Sequence, residues 1–311
     1  MNILNLLIPL ILLCFTGYKV SKHEVTHEFE HILNKLIINF ALPCSILLAS
    51  NKNNLTSLLN IKFSICYLFS IIIPFFIGFL LIKKLIKKST SESIFAGMNA
   101  SISNSGLIAI PILFSLFGDK CIGATTAILV VSSMCMSLII SLIEYEKNKK
   151  DEKKLLAFFK SIYQTLKAPL IASVFLSFIL NITSIQIPNC IIIYLNYLTN
   201  IITPCAFILI GIRISQIKLA SFNKEIVLIS LINSLIKPII AYLIAVYTHL
   251  TTVYACSLMI ISSAPVATTI HILANRYDTY KYESTKIAIL TLITSIFSLS
   301  FFIWLSLIKW R

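Results

Sequence analysis

The chain has 311 residues, of which 58% are hydrophobic and only 12% charged, and it carries a net charge of +14. A soluble domain has about 25% charged residues, so a soluble enzyme is excluded, and no aromatic–basic alternation of a nucleic-acid binder offsets that. The basic residues instead cluster between long apolar runs, as on the charged face of a multi-pass membrane protein.

A helical span needs about 20 mostly apolar residues, and ten runs approach or meet that length: 3–18, 31–49, 62–82, 92–117, 121–143, 168–184, 189–212, 225–247, 252–275 and 286–308. The first begins beside Met1 with neither a basic lead nor a small-residue cleavage site, and is read as a retained helix rather than a signal peptide. The fourth and ninth are long and interrupted by polar, glycine or proline residues.

Numbering the loops in order, the odd ones hold nineteen of the 26 basic residues, seven of them between Lys147 and Lys167; the even loops and the two ends hold five. Cytoplasmic loops carry the excess of Lys and Arg. Odd loops are therefore expected in the cytoplasm and both termini outside, in the plasma (inner) membrane.

The halves resemble each other at an offset of about 160 residues. Asn39–Cys44, with Pro43, recurs as Asn200–Cys205, with Pro204; Ser103–Gly106 aligns with Ser262–Pro265. Five spans per half force the second half to insert upside down. The expected fold is all-α and integral to the membrane: ten transmembrane helices in two inverted five-helix repeats, 1–143 and 168–311, joined by a basic cytoplasmic linker over 144–167.

Chemistry is expected at the two interrupted spans. Asn104, Ser105 and Gly106 place two hydrogen-bonding side chains and a flexible backbone inside an apolar run, and Pro111 follows. Span nine carries Ser262 and Ser263, then Ala264 and Pro265, then Thr269. Irregular backbone survives in a bilayer only where it is buried in protein or lines a cavity, and half-helix N-termini favour an anion. All twelve acidic residues lie in loops or near span ends, which argues against a proton- or sodium-coupled carboxylate. Two supporting residues are basic: Lys237, the most central cation, and His271, a residue type whose ordinary pKa lies near neutrality.

At these residues the sequence resembles the auxin efflux carrier family. Asn104–Pro111 is similar to that family's Asn-Thr-Gly-Phe-Leu-Gly-x-Pro stretch, Asn39–Pro43 to its second-span signature, Thr203–Gly211 to its seventh-span stretch and Ala264–Tyr277 to its ninth. Ala109 stands where a glycine is usual, Thr269 where asparagine is frequent, and His271 where an aromatic is frequent. The resemblance implies that spans four and nine cross at their breaks and that a small organic anion, a carboxylate or auxin-like acid, is carried by an elevator-like movement. Asn104, Ser105, Ser262, Ser263 and Thr269 would bind it. Gly106, Pro111, Ala264 and Pro265 would shape the crossover, and Pro43, Pro204, Lys237 and His271 would support it.

No cofactor, metal or nucleic acid is expected; the expected partners are the anion, the lipid bilayer and a second copy in a homodimer. Two other functions compete. One is a proton-coupled antiporter of related fold. The other is a membrane zinc metalloprotease, since His23–His27 and His27–His31 both fit HExxH; that stretch is polar and lacks a convincing third ligand. Asn54 and Asn181 head glycosylation triplets.

Overall fold

The computed structural model describes residues 3–21, 27–52, 60–147, 169–183, 185–215 and 222–310. The first HExxH stretch, the triplet at Asn54 and linker residues 148–167 lie outside the described residues.

The described chain is helical: α1 (Ile3–Ser21), α2 (His27–Leu36), α3 (Leu42–Lys52), α4 (Ile61–Leu80), α5 (Thr90–Ser101), α6 (Ile110–Phe117), α7 (Ile122–Lys147), α8 (Pro169–Ile182), α9 (Asn189–Asn200), α10 (Ile202–Ser215), α11 (Lys224–Leu231), α12 (Lys237–Tyr247), α13 (Thr252–Ser263), α14 (Thr268–Arg276) and α15 (Lys281–Lys309). Five runs are long and apolar enough to cross a membrane: Ile61–Ile86, Ser105–Glu144, Asn189–Ile212, Lys224–Tyr247 and Lys281–Lys309. The exposed faces agree with that. Ile65, Phe69, Ile73, Phe76 and Leu80 form an exposed stripe on α4, and Phe297, Phe301, Trp304 and Ile308 one on α15, each at helical spacing. A soluble monomer does not expose apolar surface on that scale.

Prolines decide how several spans are wound. Proline lacks an N–H and collides with the carbonyl four residues back. A wider π turn relieves both defects. Such turns occupy Ile37–Ala41, Ser105–Ala109 and Ile232–Ile236, with a proline two residues beyond each: Pro43, Pro111 and Pro238; a further π segment, Leu81–Ile86, has no proline after it. Before Pro43 the helix is thus wound as a π segment. Near Pro204 the chain instead turns at Ile201, between α9 and α10.

The contacts divide the chain into two units, each drawing on both halves of the sequence. Unit one comprises Met1–Asn60, Ser105–Leu129 and Leu166–Lys218. Its α1 and α10 approach through glycines: a Cβ on Gly17 would strike the backbone of Ile208, and one on Gly211 the backbone of Cys14. Small residues of this kind let membrane helices close on one another where no hydrophobic force drives them together. Cys44 and Leu48 of α3 pack on Leu195 of α9, and the Ser177 hydroxyl of α8 donates to the Ile46 carbonyl at 3.1 Å.

Unit two comprises Ile61–Asn104, Val130–Thr165 and Leu219–Arg311. Here α5 starts at a capping box, with the Ser89 hydroxyl accepting from the Glu92 amide at 3.2 Å and the Glu92 carboxylate accepting from the Ser89 amide at 3.0 Å. Helices α5 and α13 occupy the first parts of the apolar runs 92–117 and 252–275. Both have 12 residues, which gives about 18 Å of rise, short of the roughly 30 Å of bilayer hydrocarbon. Ser93–Ser101 and Ala255–Ser263 are buried without a gap, so each half-helix is surrounded on every side.

Candidate functional site

Both half-helices end in extended backbone, α5 at Ile102 (φ −87°, ψ 118°) and α13 at Ala264 (φ −68°, ψ 147°). The two extended pieces then meet within unit two. The Asn104 N–H donates to the Pro265 carbonyl at 2.8 Å and the Ala267 N–H to the Ile102 carbonyl at 3.1 Å, with Ser103 opposite Val266 in an antiparallel bridge. Breaking a helix in an apolar medium strands backbone donors and acceptors; the crossing lets each break satisfy the other. The Val266 N–H finds the Thr291 hydroxyl of α15 at 3.3 Å.

Span eight finishes the job from the side. Asn233 donates through Nδ2 to the Asn99 carbonyl at 3.1 Å and lies 3.5 Å from the Ala100 carbonyl, in the last turn of α5, where no intrahelical donor remains. One helical turn on, Lys237 Nζ donates to Ser103 Oγ at 2.6 Å. Asn99 in turn donates to the Ser284 hydroxyl of α15 at 2.9 Å. Lys237 is 1% exposed and Asn233 and Asn99 are 0% exposed. Sequence reading had marked Lys237 but passed over Asn99, Ser103, Asn233 and Ser284. The available signal was Asn233, a polar residue four before Lys237 in an apolar span.

The residues expected to bind substrate differ in their freedom. Asn104 is buried, and its side-chain amide makes no hydrogen bond to a described residue. The Ser262 hydroxyl is buried with no partner among the described residues. The Ser263 hydroxyl is committed to the Met259 carbonyl of its own helix at 2.8 Å. Thr269 is exposed and His271 half-buried, both in the first turn of α14, whose leading N–H groups have no partner within the helix.

Ser105, Gly106 and Pro111 fall in unit one, with Pro43 and Pro204. The Thr203 hydroxyl beside Pro204 points at the Pro111 carbonyl at 3.5 Å. A Cβ on Gly106 would meet only Leu42, at 3.7 Å, an ordinary contact, so local packing does not demand a glycine there.

Two other features of unit two lie away from the crossing. A cavity of about 450 Å³ beside α11 and α15 exposes mostly apolar surface, from Phe222, Leu231, Leu235, Phe297 and Phe301 among others, with Ser230, Ser234, Thr294 and Ser298 also in its lining, and it holds no cationic group. The second is an ionic cluster. Lys88 lies 2.9 Å from Glu283, 3.1 Å from Glu225 and 3.8 Å from Glu92, and the Tyr280 hydroxyl donates to Glu225 at 2.6 Å. Glu225 is the one buried carboxylate among the described residues, and it stands in the first turn of α11 rather than deep in the span.

The family model described as membrane transport protein matches residues 2–303. The chain is also similar to an uncharacterized transporter of Methanocaldococcus jannaschii, 24% identical over 310 residues and covering 95% of each chain.

Proposed function

Because the chain belongs to the membrane transport protein family, the family of the auxin efflux carriers, we propose that it moves a small organic anion, a carboxylate or auxin-like acid, across the membrane. The observation that carries this reading is the composition of the crossing. It combines two broken helices, a buried ammonium at Lys237 and an uncommitted amide at Asn104, with no carboxylate buried beside them among the described residues. Such surroundings put no carboxylate against an anion, and the first turn of α14 offers it leading N–H groups. A cation carrier would need the reverse.

In this reading Asn104, Ser262, Ser263 and Thr269 hydrogen-bond the substrate, with Ser105 beside them in sequence, and the first-turn amides of α14 face its charge. Pro265 and Ala264 hold span nine extended; Gly106 and Pro111 set the path of span four after its break. Spans four and nine are the broken members of two inverted five-span repeats, ten spans in all. Unit two, which contains both crossing pieces, carries the anion in an elevator-type alternation. Uptake of labelled carboxylates by proteoliposomes containing the purified chain tests the reading: it requires at least one acid to enter faster than into protein-free vesicles.

A further inference from the structure

Lys237 is unusual in its setting. Its side chain is 1% exposed, and its described hydrogen bond goes to a neutral hydroxyl, Ser103 Oγ, rather than to a carboxylate. A buried ammonium without an anion is costly, so something else must compensate it. The C-terminal pole of α5 is available for that role. That helix ends at Ser101, two residues before Ser103, and its closing turn carries partial negative charge. Asn233 already caps the Asn99 carbonyl there. The surrounding elements also hold buried oxygens that have no hydrogen-bond partner among the described residues: Asn99 Oδ1 on α5, Asn233 Oδ1 on the π segment before α12, and Ser262 Oγ on α13.

A helix C-terminus in a low-dielectric setting, with neutral oxygens on the elements around it, suits a small monovalent cation as well as an ammonium. We propose that the Lys237 ammonium is a built-in substitute for a bound alkali cation: it holds the crossing together electrostatically, so the protein needs no sodium, and removing it leaves a vacancy that a free cation fills. The proposal concerns the assembly of the crossing. It stands whether or not the transported molecule is an anion.

The test therefore reads stability rather than transport. Purified parent, Lys237→Ser and Lys237→Met are melted in detergent in 150 mM choline, sodium, lithium or potassium chloride at fixed ionic strength. The parent melts alike in all four salts. Lys237→Ser, which leaves both space and a hydroxyl, melts lower in choline and recovers by at least about 4 °C in sodium or lithium. Lys237→Met fills the space without charge, melts low, and is not rescued by any salt. Cation-dependent melting of the parent contradicts the proposal. So does Lys237→Met melting like the parent in choline, or a Lys237→Ser protein that no cation stabilises. Failure of Lys237→Ser to fold even when prepared in sodium or lithium counts against it as well, because a replaceable charge must be replaceable by a free one.

Discussion

At the scale of single residues, the crossing separates groups that hold the backbone from polar groups with no hydrogen-bond partner among the described residues. Asn104 does both: its main-chain N–H stitches the breaks, and its side-chain amide is uncommitted. Truncation to alanine keeps the first and removes the second. Leaving a ligand polar group unpaired costs about 1–3 kcal/mol, so Asn104→Ala weakens substrate affinity by roughly ten- to a hundredfold while the melting temperature holds. Ser263→Ala has a much smaller effect, since that hydroxyl is already bonded to Met259. Transport titrations and melting curves on the two variants check this; equal losses of affinity would mean that the free amide has no special role. Most of these residues were legible from polar insertions in apolar runs. Which serine is committed was not, because a helix-bonded and a free hydroxyl are spelled alike.

At the scale of elements, the ionic cluster ties the approach to α5 to the starts of α11 and α15. Burial pushes the Tyr280 hydroxyl well above its ordinary value of 10.0, and its bond to Glu225 adds to that. For Lys88, burial works to lower the value, but the Glu283 and Glu225 carboxylates outweigh it and hold the ammonium above 10.5. In both cases the folded state keeps its proton more firmly than the unfolded chain. The cluster's contribution is therefore complete below about pH 10 and lost as pH climbs through the raised values. Melting temperature of the parent should fall as pH rises above about 10, and more steeply than that of a Lys88→Met, Tyr280→Phe double variant, which should start lower. Parallel curves would show that the cluster is not what titrates. Apolar runs showed the helical, membrane-crossing character at this scale, and their polar and proline interruptions the breaks near Asn104 and Pro265. The cluster stayed hidden because Lys88, Glu225 and Glu283 are far apart in sequence and each looks like an ordinary span-end charge.

At the scale of the whole molecule, the repeat suggests halves that join near the basic linker, and contacts group α1–α3 with α8–α10, and α4–α5 with α11–α15, each unit taking helices from both halves. Linear similarity reports how a chain arose, not which helices pack, and helix partners in a bundle are set by tertiary fit. Orientation is carried by the basic residues instead. Single-cysteine labelling should place residues 144–167 in the cytoplasm and both ends outside; a cytoplasmic C-terminus would refute the orientation.

The central claim is that the crossing carries an organic anion without a sodium requirement. Its most direct measurement is uptake of a labelled carboxylate panel into proteoliposomes holding the parent or Asn104→Ala, with and without sodium, pH and potential gradients. The account predicts that the parent takes up at least one carboxylate at the same rate with or without sodium, and that Asn104→Ala needs roughly ten to a hundred times more substrate. Uptake of no carboxylate beyond protein-free vesicles, strict dependence on sodium, or an Asn104→Ala variant indistinguishable from the parent would contradict it.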